Sequence, residues 1–173
     1  FKAASYFQFG ENEYLVLATK NKILYSENGQ EFKVGKSFSI AGSGIKKLVK
    51  NKEYLYANLG KGGVWRSNNL TSWKKVLSEE IVDIAVNEHV YAVSAIGLLY
   101  RTTNGTEFES IRTAITSGDR YLGRFKGLLY FGDKRFNSYQ ISLHHELTLN
   151  GILFETSILD YAQYGNGASL NLK

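Results

Sequence analysis

A seven-residue pattern recurs along this chain and constrains its fold more than any other feature. The copies are Ser26-Glu27-Asn28-Gly29-Gln30-Glu31-Phe32, Ser67-Asn68-Asn69-Leu70-Thr71-Ser72-Trp73 and Thr102-Thr103-Asn104-Gly105-Thr106-Glu107-Phe108. Each begins with a hydroxyl residue, has Asn two places on, and has an aromatic ring four places after that. A weaker copy starts at Ser142, with His144 in place of Asn and Thr148 in place of the ring. Between copies the sequence breaks into short runs of β-branched and aromatic residues, divided by Gly, Asn, Asp and Lys.

Those runs keep one order in every unit. A first strand is expected over 5–9, 45–49, 81–86 and 121–125. A second is expected over 13–18, 53–58, 89–94 and 127–131. A third closes on the hydroxyl residue, and a fourth carries the aromatic residue, as in 31–34 and 73–76. No stretch holds a 3.6-residue period, so no long helix is expected. Four short strands at a period of about 40 residues define a β-propeller blade. The expectation is therefore an all-β chain, a β-propeller or part of one, as a single domain over 1–173. Its four blades would span 4–36, 44–77, 80–112 and 119–150. An incomplete fifth, over 151–173, would rest on further polypeptide, because open strand edges invite association.

The repeated turn has a physical logic. Asn tolerates the left-handed region and bonds to backbone groups of its own turn. Gly29 and Gly105 supply positive φ at little cost. The hydroxyl bonds across the hairpin, and the rings of Phe32, Trp73 and Phe108 are expected to be buried between blades. Ser26, Asn28, Phe32, Ser67, Asn69, Trp73, Thr102, Asn104 and Phe108 thus form a structural turn set.

On these residues the pattern resembles the Asp-box of sialidase-type (BNR-repeat) propellers. That turn is also found in sortilin-like receptors, some xyloglucan hydrolases and a photosystem II assembly factor. The match lies at Ser26, Gly29 and Phe32, at Ser67 and Trp73, and at Thr102, Gly105 and Phe108. Asn stands at 28, 69 and 104, where the family has Asp. A fainter resemblance covers residues 119 to 142. Arg124 to Phe131, Asn137 and Ser142 are similar to units of the propeller in tail nozzle proteins of short-tailed phages.

Composition fits this reading. Of 173 residues, 14% are aromatic, 12 of them Tyr, which suits strands. There is no Cys, so neither a disulfide nor a thiolate metal site can form. There is also no Pro and no Met, and the chain opens on Phe1; the expected reason is a cut through a longer sequence. No apolar run approaches a membrane span. The formal charge of +5 is dispersed, with small clusters at Lys46, Lys47, Lys50 and Lys52 and at Lys74 and Lys75. These read as solvated faces, and nucleic acid is not expected as a partner.

Candidates for chemistry are few. Arg66 and Arg101 precede the hydroxyl residue in successive units, and that equivalence favours a structural role. His144 and His145 are adjacent and would point to opposite faces of a strand, a poor chelate. His89 stands alone. Gly60-Lys61-Gly62-Gly63 lacks the spacing and helix of a P-loop and reads as a hairpin turn. The sequons at Asn69 and Asn104 fall inside the repeated turn. No catalytic residue, cofactor or metal is expected, and no enzymatic activity. The expectation is a structural or recognition propeller, such as a phage virion or tail component or a surface-binding domain. Its partners would be other protein subunits, a continuation of the same chain, or a glycan or cell-surface ligand, in a virion or extracellular setting. The alternatives are a fragment of a sialidase-like glycoside hydrolase and an assembly factor docking on a large complex.

Overall fold

The computed structural model describes residues 2–40, 43–86, 89–111, 120–125, 128–133, 137–141 and 147–152, with side chains as far as residue 110. The architecture is all-β. Among the described residues sixteen strands form four sheets of four, and the helix is a single 3-10 turn at Gly60–Gly62. The first sheet holds β1 (Ala3–Phe9), β2 (Asn12–Ala18), β3 (Lys22–Ser26) and β4 (Lys33–Ser37). The second holds β5 (Lys47–Lys50), β6 (Leu55–Asn58), β7 (Val64–Ser67) and β8 (Lys74–Leu77). The third holds β9 (Ile81–Val86), β10 (Val90–Ser94), β11 (Leu99–Thr102) and β12 (Glu109–Ile111). The fourth holds β13 (Arg120–Phe125), β14 (Leu128–Asp133), β15 (Asn137–Ile141) and β16 (Leu147–Ile152). Strands adjacent in sequence are adjacent in each sheet, and they pair antiparallel. This is the up-and-down order of propeller blades.

Two details differ from the sequence reading. The fourth strands start just after the aromatic residue, at Lys33, Lys74 and Glu109, because the ring closes the turn before pairing begins. In the fourth sheet β16 runs on through Ile152, paired to Asn137 across a bulge between Ser138 and Tyr139. Gly151 and Ile152 therefore belong to that sheet, and the rest of the expected fifth blade, like Ser142, His144 and His145, lies outside the described residues.

The chain groups into two compact units, Phe1–Ile81 with Gly105–Glu107, and Val82–Asn104 with Phe108–Lys173. In the first, Phe7, Val16, Ala18 and Ile23 of the first sheet meet Leu55 and Ala57 of the second, with Phe38, Ile45, Leu59 and Leu70. Burying each such large apolar side chain contributes about 1.5–3 kcal/mol. Phe38 sits edge-to-face against Trp65 at 5.3 Å and Trp73 at 6.0 Å. Gly35 in β4 admits the second turn closely, since a Cβ there would run into the Leu70 carbonyl. In the second unit, Val90–Ser94 is buried throughout, as expected of a strand covered on both faces.

Candidate functional site

The repeated turn is organised around one oxygen. In the first copy Asn28 Oδ1 accepts from the Ser26 hydroxyl at 3.0 Å and from the backbone N–H of Gln30 and Glu31, each at 2.9 Å. Ser26 Oγ in turn accepts from the Gly29 N–H at 2.9 Å. The second copy repeats this: Asn69 Oδ1 accepts from Ser67 Oγ, Thr71 N–H and Ser72 N–H, and Ser67 Oγ accepts from Leu70 N–H at 2.8 Å. In the third, Thr102 Oγ1 donates to Asn104 Oδ1 at 3.1 Å. An amide oxygen does here what a carboxylate oxygen could do, so Asn serves without a charge.

The rings do not share one environment, which corrects the expectation that all three are buried. Phe32 is 37% exposed, while Trp73 and Phe108 are half-buried. Trp73 packs on Phe38, which leaves the first sheet just after β4, and its Nε1–H donates to the Leu70 carbonyl at 2.7 Å. Nothing among the described residues takes the place of Phe38 for Phe32.

Beside the second turn lies an open cleft of about 260 Å³, lined by Tyr54, Arg66, Ser67, Asn68, Ser72, Trp73 and Lys74. β7 supplies Arg66, and β8 supplies Lys74 directly across from it. The Arg66 guanidinium carbon lies 3.9 Å from the centre of the Tyr54 ring, a cation–π stack. Its Nε and Nη1 are buried without a hydrogen-bond partner, as is Nε of Arg101 in the third sheet. Tyr54 is held by its N–H, which donates to Asn51 Oδ1 at 2.8 Å. Tyr56, fully buried next to Arg66 in the sheet, has its hydroxyl pushed up to about 12 by burial, against the opposing pull of Arg66.

The sequence reading reached Arg66 and Lys74 separately, and it missed Tyr54 and Asn68. The signal was available in the repeat itself, in the residues that change between copies. A smaller cleft of about 100 Å³ occupies the same place in the first sheet, lined by Tyr25, Ser26, Glu27, Asn28, Glu31 and Lys33. There Glu27 and Lys33 pair at 3.9 Å. In the third sheet Arg101 pairs with Glu109, its neighbour across the strands. His89 stacks loosely on Tyr91, 6.3 Å between rings. Gly60–Gly62 connects β6 to β7, with Asn58 Oδ1 accepting from the Gly60 N–H at 2.8 Å. Among the described residues no three His, Cys, Asp or Glu side chains gather as a metal site, and no helix is long and apolar enough to cross a membrane.

No family model matches the sequence, and no curated protein matches it. Solved structures do. Virginiamycin B lyase from Staphylococcus aureus aligns at TM-score 0.68 and 9% identity, over 86% of this chain and 55% of that one. YCF48 bound to D1 peptide aligns at TM-score 0.60 and 15% identity, over 88% and 52%. BBS1N in complex with ARL6DN aligns at TM-score 0.59 and 12% identity, over 87% and 54%. All are β-propeller proteins, and the chain spans about half the length of each. At this identity the likeness defines the class, a β-propeller module, and nothing narrower. It also corrects one expectation. The absence of enzymatic activity is what the lack of candidate catalytic residues implies. The lyase shows that the same architecture carries an enzyme, so that inference does not hold.

Proposed function

We propose that this chain is a recognition propeller that binds a protein partner through the cleft of the second sheet. The observation that carries this reading is the Arg66 guanidinium, stacked on Tyr54 at 3.9 Å and lining an open cleft that has a second cation, Lys74, and no acid in its wall. Arg and aromatic side chains are also the types enriched where proteins bind proteins. Support comes from neighbours of the same fold whose structures hold a bound peptide or protein, D1 peptide on YCF48 and ARL6DN on BBS1N.

Within that reading the turns are Asp-box turns with Asn in the acceptor place. Residues 1–173 form one propeller segment, with blades over 4–36, 44–77, 80–112 and 119–150. The setting is a virion tail or an extracellular surface. A second reading, an assembly factor docking on a large complex, is favoured by the peptide-bound YCF48 neighbour. The test is a peptide library screened against the immobilised 173-residue chain, with Tyr54→Ala and Arg66→Ala as site variants and Arg101→Ala as control. The expected result is a set of binders weakened about tenfold or more by the site variants and untouched by the control. Binders that ignore both site variants, or no binders at all, would remove the cleft from the function.

A further inference from the structure

The structure holds three versions of one turn, and the charges around them differ systematically. Counting from the hydroxyl residue, Arg66, Asn68, Ser72 and Lys74 of the second copy correspond to Tyr25, Glu27, Glu31 and Lys33 of the first. In the third copy they correspond to Arg101, Thr103, Glu107 and Glu109. The first and third copies each bring two acids to these places. The second brings two cations and no acid.

The pairing shows what the acids do. In the first sheet Glu27 reaches Lys33. In the third, Arg101 and Glu109 are direct cross-strand partners and form an ion pair. In the second sheet the register is the same, and Arg66 faces Lys74. Like charges directly opposite one another are unfavourable. Neither cation has an ion-pair partner among the described residues. Glu109 thus shows, inside the same chain, which group pairs with an arginine at this position.

We infer that the second-sheet cleft is a carboxylate site that takes an acidic side chain of a peptide ligand, in the place where the third sheet uses its own Glu109. Arg66 offers planar N–H donors to a carboxylate, and Lys74 a mobile point charge. The Tyr54 ring stacks on the guanidinium. Ser67, Asn68 and Ser72 supply further polar groups at the wall, and the indole of Trp73 offers an apolar one. A volume of about 260 Å³ suits one acidic residue with part of its backbone. This inference rests on the recognition reading above and narrows it to a ligand class.

The test follows the two-dimensional N–H spectrum of the full chain, including the Trp73 indole N–H, during titration. The probes are an acetylated, amidated peptide carrying two glutamates, its glutamine isostere, and inorganic phosphate. The deciding variant is Lys74→Glu, which gives the second sheet the charge pattern of the third. The acidic peptide is expected to shift the Trp73, Ser67 and Ser72 signals, with the isostere binding about tenfold more weakly or worse. Lys74→Glu should abolish that response and raise Tm by about 2 °C, because it supplies the missing partner. If that variant fails to fold, Lys74→Gln is expected to weaken binding without supplying a carboxylate. Equal binding of both peptides at the cleft would overturn the carboxylate assignment and leave partner recognition standing. Phosphate binding without peptide binding would overturn it in favour of a free oxyanion. No binding of any probe, with Lys74→Glu leaving Tm unchanged, would defeat both readings.

Discussion

The first and second turns share their hydrogen bonds and differ in almost everything those bonds hold in place. In both, an Asn oxygen gathers the backbone and a Ser oxygen closes the fourth position. At that position Gly29 has φ +73° with open space around it, whereas Leu70 has φ +67° and is 1% exposed. Leu70 is the non-glycine residue with positive φ among those described. The ring that follows is exposed in the first turn and packed on Phe38 in the second. The difference teaches that the turn is a polar scaffold indifferent to its surroundings. What it contributes to stability depends on whether a neighbouring sheet lies against it.

The sharpest way to break this comparison is to remove the rings. Trp73→Ala takes out a side chain that touches Phe38 and bonds the Leu70 carbonyl. A loss of about 3 kcal/mol is expected in urea unfolding. Phe32→Ala should cost under about 1 kcal/mol, as surface changes do. Equal losses would show that the two turns are packed alike. A step smaller is the exchange at the fourth position. Leu70→Gly relieves a left-handed conformation that costs roughly 1–2 kcal/mol. It also gives up about 2–3 kcal/mol of apolar burial. A net loss of about 1 kcal/mol follows. Gly29→Leu meets the strain with nothing to bury and should also lose about 1 kcal/mol. If Leu70→Gly stabilised the chain, packing would not be what holds Leu70 in place.

The sheets can also be separated by pH. Tyr56 in β6 and Val16 in β2 hold matching places, paired with Arg66 and Tyr25 respectively. Both are fully buried, but only Tyr56 titrates. Its hydroxyl is raised from 10.0 to about 12, first by burial. The neutral form is thus favoured in the folded state. Stability from this source is full below pH 10 and is lost as pH rises from 10 towards 12. Thermal melts over that window should fall in the parent chain and fall less in Tyr56→Phe. Equal slopes in the two would mean the phenol is not the group responsible.

The fold was legible because hydroxyl, Asn and ring recur at fixed offsets, and between them lie short runs of β-branched and aromatic residues. What was not legible is instructive. Burial of Phe32 was inferred from its equivalence to Trp73, but equivalence in sequence does not supply a Phe38. The cleft was hidden for the opposite reason. Arg66 and Arg101 hold the same place in successive copies, and that equivalence points to structure. The distinguishing information lay in the non-repeating positions, 68, 72 and 74, which carry no motif and acquire meaning only once the register places Lys74 across from Arg66.

The smallest effect separates the turns most finely, because it probes charge with the geometry held constant. Asp in place of Asn keeps the accepting oxygen and adds a negative charge, and hydrogen bonds to a charged acceptor are the stronger ones. In the second turn that charge would sit near Arg66 and Lys74, with no acid at the corresponding places. In the first it would sit near Glu27 and Glu31, with Lys33 already paired to Glu27. Asn69→Asp is therefore expected to stabilise the chain by about 0.5–1 kcal/mol, and Asn28→Asp by close to nothing. The sign under acid follows from linkage. An Asp stabilised by cations and N–H donors has its folded pKa below the unfolded value of about 3.9. Its contribution is present above that value and is lost as pH falls through the folded pKa. The gain of Asn69→Asp over the parent should hold at pH 7, shrink below about pH 4, and weaken in high salt. Equal gains at both turns would mean the hydrogen bonds alone set the effect. The electrostatic contrast between the first and second sheets would then carry no weight at the turn.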